Sequence, residues 1–234
     1  SASLNLPPDL VYSAVPVSDL ADAVPEAIRS QSQSQLLRVP IIPTLSEAMI
    51  AVFEQGQTLG NRADVITKVG DSLAASEQYI SIFAGPEYTL GPYDYLEETL
   101  NFYAASTADE SAAARVGLTS YVVFDPFWAD DDLCEAGETP LQCELRRKQP
   151  SIAFVLFGPN DVRVMDTDDF RGQINQLIDE TLAAGVIPVL MTFSAHPEET
   201  FFWQSINFNL ELVALAEERQ VPLINLWAAA QPLP

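Results

Sequence analysis

The sequence predicts a three-layer α/β/α sandwich around a central parallel sheet, and three observations predict it. Residues 151–157 (Ser-Ile-Ala-Phe-Val-Leu-Phe) form a short, almost wholly apolar run, as a strand covered on both faces requires. Further strand-like runs at 65–69, 186–193 and 221–226 are separated, in the second half of the chain, by segments of helical period. Strand, helix, strand, helix, strand is the pattern of parallel strands joined by right-handed crossovers. A chain of 234 residues, 48% hydrophobic, is also long enough to bury one sizeable core.

Taken in order, residues 1–43 read as an extended arm or linker, with 44–234 as the α/β domain. Leu6-Pro7-Pro8, Val15-Pro16 and the Ser/Gln run at 30–35 favour solvated, extended backbone, with room for a short helix at 21–29. Thr44 followed by Glu47 reads as a capping box for a helix over 45–55, which Gly56 and Gly60-Asn61 end. The strand at 65–69 runs into Gly70-Asp71-Ser72, and 73–80 read as the first turns of a helix. Residues 83–95, rich in Gly, Pro and Tyr, read as loop. Tyr95, Leu96, Thr99, Leu100 and Tyr103 have helical spacing, 104–115 again read as loop, and 117–124 as a turn into either a strand or a helix. After the strand at 151–157 and Gly158-Pro159-Asn160-Asp161, Phe170, Ile174, Leu177, Ile178 and Leu182 mark one helix face. Gly185 is placed to end that helix. Ile206, Leu210, Val213 and Ala214 line the next one, between the strands at 186–193 and 221–226.

Composition narrows the function. Thirty-three acidic and eleven basic residues give a net charge of −22, which repels nucleic acid and anionic membrane. No apolar run approaches the roughly 20 residues that span a bilayer, and the first residues carry no basic-then-apolar leader pattern, as in a chain whose leader has been removed. Cys134 and Cys143 flank a segment with a Gly and a Pro. A disulfide closing that hairpin would point to an oxidising, extracellular or cell-surface setting, with two buried free thiols as the alternative. Zinc would need more ligands than this segment offers, and no other cofactor or metal is called for.

The chemistry-bearing residues lie at strand ends. Ser72 follows one strand, Asn160 another, and Gly117 lies in a turn between them. In a parallel sheet these strand ends open on one edge, where α/β proteins bind ligands. The Ser72 N–H, the Gly117 N–H and the Asn160 amide could therefore converge on one substrate oxygen as an oxyanion hole.

Gly70-Asp71-Ser72-Leu73 and Gly158-Pro159-Asn160-Asp161, in this order and at strand ends, resemble the motifs of the GDSL/SGNH hydrolases, with Pro159 where many members carry Thr. Arg115 to Ser120 resembles the family's glycine block more loosely. The stretch 137–144 and the ending 226–234 are similar to secreted bacterial members. The resemblance covers roughly Thr44 to the end and implies a flavodoxin-like α/β/α fold and a serine esterase. Ser72 would be the nucleophile, with Gly117 and Asn160 as oxyanion donors and Asp71 and Asp161 holding the loops. Substrates would be lipid, acyl or carbohydrate esters.

One departure stands out. The family's base is a His with an Asp three residues before it, in a block after the last strand. The single histidine here, His196, follows the preceding strand without that Asp. It reads as an exposed loop residue, and the expectation is that the Asp-x-x-His block is missing from these 234 residues. A serine hydrolase that is weak as written therefore competes with a non-catalytic extracellular binding or structural subunit on the same fold. The latter would use surfaces such as the N-terminal arm for self-assembly.

Overall fold

The computed structural model describes residues 26–86 and 88–231. Four strands, β1 (Arg62–Gly70), β2 (Pro150–Leu156), β3 (Ile187–Met191) and β4 (Leu223–Ile224), lie side by side in that order. Every neighbouring pair is parallel. The register sets Gly70 beside Leu156 and Val155 beside Leu190, so β1 and β2 end level with one another. At its carboxyl end β1 gains a rudimentary partner on its outer side. The Gly70 N–H donates to Ala113 O (2.9 Å) and Gly70 O accepts from the Arg115 N–H (3.2 Å), a parallel bridge to Ala114.

The crossovers from β2 to β4 follow the expected period. α5 (Thr167–Ala183) starts at Asp166, whose side chain accepts from the Asp169 N–H, and buries Phe170, Ile174, Leu177 and Ile178. It stops before Gly185, which adopts a left-handed φ of 69°. α6 (Phe202–Arg219) packs on α5, with Phe170 stacked on Phe208 at 4.2 Å between ring centres. Consecutive strands joined by crossovers of one hand put both helices on one face of the sheet. α2 (Glu47–Leu59) lies along β1, β2 and β3, and the result is a three-layer α/β/α sandwich.

Several local expectations are corrected. α2 is capped by Ser46, not Thr44: Ser46 Oγ accepts from the Met49 N–H and donates to Gln220 O. Gly56 does not end the helix. It lies inside, where a Cβ would fall 2.1 Å from Gly185 O, and Gly60 is the left-handed terminus. The Ser/Gln run at 30–35 is helical, within α1 (Glu26–Arg38), rather than extended. Burial of Leu36 against Phe202, Ile206 and Trp227 supplies what the polar composition lacks. Most of the helix expected at 21–29, with the first part of the arm, lies outside the described residues.

Residues 73–80 form turns, not a helix. Asp71 Oδ1 takes the Leu73 N–H and Ser76 Oγ takes the Gln78 N–H, local bonds that compete with helix propagation. α3 (Glu97–Thr107) runs further than its expected end, and the strand-or-helix alternative at 117–124 resolves into a short 3-10 turn at 122–124. α4 (Pro140–Lys148) was not foreseen although Thr139 and Gln142 form a reciprocal capping box at its start. Cys134 and Cys143 are bonded to each other, and nearby Glu138 pairs with Arg146 at 2.5 Å. β4 is only two residues long because Asn225 turns inward. Its side chain donates to Leu36 O and Val39 O, accepts from Thr192 Oγ1, and caps α7 (Leu226–Ala230) through the Ala228 N–H.

Candidate active site

Three loops meet at the carboxyl edge of the sheet: 71–75 after β1, 115–120 after the bridge at Ala114, and 157–161 after β2. Backbone pairing carries β1 directly into the first of them, since the Asp71 N–H donates to Leu156 O (3.3 Å). The Ala75 N–H then closes one helical turn on Asp71 O (3.0 Å). Ser72 is thus held on a tight turn with its side chain exposed, while Asp71 before it is fully buried. A single turn offers less dipole than the helix the sequence led one to expect, so the Ser72 site relies on individual N–H groups.

The second and third loops are joined by side chains. Asp161, fully buried, accepts from the Ser120 N–H (2.7 Å) and Oγ (2.8 Å) on one oxygen and from the Gly158 N–H (2.9 Å) on the other. Asn160 donates one amide hydrogen to Leu118 O (3.0 Å), beside Gly117. Gly158 has a φ of 137°, and a Cβ there would meet the Phe193 ring at 2.0 Å, so only glycine fits this turn. Gly117 is exposed with a φ of 84°, a conformation that presents its backbone to solvent.

Two carboxylates therefore sit under the exposed groups. Burial pushes Asp71 up to about 6, its bond from the Leu73 N–H opposes this, and the charge of Asp161 adds to it. Asp71 Oδ2 is buried without a hydrogen-bond partner. Asp161 is likewise raised by burial, against the bonds it accepts from Ser120 and Gly158.

The fold thus brings the loops bearing Ser72, Gly117 and Asn160 to one edge, with Asp71 and Asp161 beneath. His196 bonds within its own loop, and among the described residues no hydrogen bond joins it to them. That residue lies in the loop after β3, and β3 is two strands from β1. Its side chain is 67% exposed, its Nδ1 accepts from the Glu198 N–H, and its own N–H donates to Glu199. Ser120, the residue that most ties the second loop to the third, was missed. Its only sequence signal is a small hydroxyl residue three positions after Gly117.

No family model matches the sequence, and no curated protein does. Solved structures do resemble it. An alpha/beta hydrolase enzyme from the metagenome of Lake Arreo, Spain, superposes with a TM-score of 0.50 at 14% identity, over 74% of this chain and 81% of that one. A variant of an acetyl xylan esterase from Geobacillus stearothermophilus gives 0.49 at 15% identity, over 74% and 81%. A GDSL-like lipase from Bacteroides thetaiotaomicron gives 0.46 at 12% identity, over 76% and 77%. At such identities the likeness speaks for fold. The class defined here is one of fold, a three-layer α/β/α sandwich with a parallel sheet, and the solved structures resembling it include a GDSL-like lipase and an acetyl xylan esterase.

Proposed function

We propose that this chain is an SGNH-type serine ester hydrolase acting on lipid, acyl or carbohydrate esters outside the cell. The observation that carries the proposal is the junction of three loops at one sheet edge, with Asn160 bonded to the Gly117 turn and Ser72 exposed on the neighbouring strand end. Ser72 Oγ attacks the ester carbonyl carbon, and the carbonyl electron pair moves onto oxygen. The Ser72 N–H, the Gly117 N–H and the Asn160 amide hydrogen not engaged with Leu118 receive that charge, each donor contributing about 3–4 kcal/mol to the transition state. Expulsion of the alcohol leaves an acyl-serine, which water cleaves. The disulfide supports the extracellular setting. Among the described residues, no helix is long and apolar enough to cross a membrane.

Serine needs a proton acceptor near neutral pH, usually imidazole, and His196 is badly placed for it. The test therefore supplies the base from solution. The 234-residue chain should hydrolyse p-nitrophenyl acetate barely above background, and added imidazole should raise the rate more for the chain than for Ser72→Ala. Equal rates for the two proteins would sink the proposal and leave a non-catalytic binding subunit. Strong activity without imidazole, lost in His196→Ala, would instead make His196 the base.

A further inference from the structure

Lys68 is a cation where the strand should be apolar. It lies on β1 at 6% exposure, in a chain with three carboxylates for every basic residue. Yet among the described residues no carboxylate approaches it within 4.0 Å. Its Nζ donates to Ser81 Oγ (2.6 Å). Burial holds its ammonium below the ordinary lysine range, with Glu144, Asp109 and Glu110 opposing from further away and Lys148 adding to the effect. An ammonium carries three donors, and a buried charge without a partner is costly.

Lys68 lines a cavity of about 260 Å³. Ala75, from the Ser72 turn, and Val116, next to Gly117, form part of the wall. Arg115 lines it too, and its guanidinium is held in place: Nη2 donates to Trp128 O (2.7 Å) and the group lies 5.8 Å from the Trp128 ring centre. Arg115 also has no carboxylate within salt-bridge distance among the described residues, and its remaining N–H groups are available. Glu110, exposed, and Asp130, half-buried, are the carboxylates of the lining.

We propose that this cavity is a binding site for a hydroxylated monocarboxylate, its carboxylate on Lys68 and Arg115 and its hydroxyls toward Glu110 and Asp130. Two cations and two anions leave the lining neutral overall. A monoanion therefore suits it better than a dianion, which a protein of charge −22 would repel. The volume lies just under the roughly 300–1,000 Å³ of sites for drug-sized ligands, which fits a single sugar-sized molecule. Lys68 is four residues before Ser72, roughly 13 Å along extended chain, so it binds rather than serving Ser72 as base. The site stands whether or not Ser72 is a nucleophile.

D-glucuronate is the probe, titrated by calorimetry and by amide chemical-shift mapping, with D-glucose and sulfate alongside. Glucuronate should bind and shift the Ala75 and Ala114 amides. Lys68→Met and Arg115→Gln should each weaken it about tenfold or more, as loss of a charged hydrogen-bond donor does, and glucose and sulfate should bind far more weakly. Absence of glucuronate binding would overturn the proposal, as would affinity unchanged in the variants. Equal binding of glucose would overturn the carboxylate, and equal binding of sulfate would overturn the preference for a monoanion. If Lys68→Met does not fold, Arg115→Gln carries the test, because Arg115 is only half-buried.

Discussion

The β1–β2 connection and the chain from β2 to β4 are built on different principles. From β2 to β4 the chain alternates strand and long helix, and it contributes Phe157, Phe170, Phe193, Phe202 and Phe208, among the largest fully buried side chains. From β1 to β2 it contains α3 and α4 but otherwise short turns, and it leaves Tyr95, Phe102, Tyr121 and Phe127 exposed, the last at 87%. What holds this region is directional: Glu144 accepting from Thr67 and the Ala112 N–H, Asp161 accepting from Ser120, and the disulfide. Apolar burial has no preferred direction and builds a scaffold. Directional bonds fix orientation, and the loops that carry Ser72 and Gly117 lie on the side where such bonds prevail.

Phe170→Ala should do the most damage. It removes a fully buried ring stacked on Phe208 and should lower unfolding free energy by about 3–5 kcal/mol in urea titration. A loss as small as that of a surface substitution would erase the contrast between the two halves. Breaking the disulfide by Cys134→Ser with Cys143→Ser comes next, at about 2.5–3 kcal/mol on the chain-entropy model. Its hydrogen-exchange signature should be uneven, with the largest acceleration between 111 and 149 and a smaller one in β2 and β3, whose amides report global unfolding. Acceleration spread evenly over both halves would mean that the two are one cooperative unit.

The last effect, which depends on pH, sharpens the contrast at the site. Asp71 has a folded-state value of about 6 against an ordinary 3.8, so the folded chain binds this proton more tightly than the unfolded chain. Stability should therefore fall as pH rises from about 4 to about 6, then level off. Asp71→Asn can still accept the Leu73 N–H but cannot ionise. It should flatten that part of the profile and leave the protein more stable at neutral pH by up to about 3 kcal/mol. Asp161, raised in the same direction, keeps a slope of its own. A profile unchanged by Asp71→Asn would remove Asp71 from the account of the site.

The β2–β4 half was legible because its signals are local and repeated. Five apolar positions at helical spacing placed α5, and an uninterrupted apolar run placed β2. The β1–β2 half was legible only at its ends, where Gly-Asp-Ser and Gly-Pro-Asn-Asp mark the turns. Between them the polar residues that decide the structure find partners far away in sequence: Ser120 with Asp161, Lys68 with Ser81, Thr67 with Glu144. No pattern within a window of residues reports such pairs.

By itself the sequence determined the fold class, the parallel sense of the strands, the edge on which Ser72 and Asn160 emerge, and the segment in which the two cysteines could meet. Each follows from periodicity, chain length or spacing along the backbone. Only the tertiary structure decided that the Ser/Gln run is a helix, that Ser46 rather than Thr44 begins α2, and that the Ser72 turn does not continue as a helix. It also left a buried lysine lining a cavity. At the Ser/Gln run and at the start of α2 the local preferences are weak or balanced, and the outcome is set by what packs or bonds against the segment from elsewhere in the chain: Trp227 against Leu36, Gln220 at Ser46.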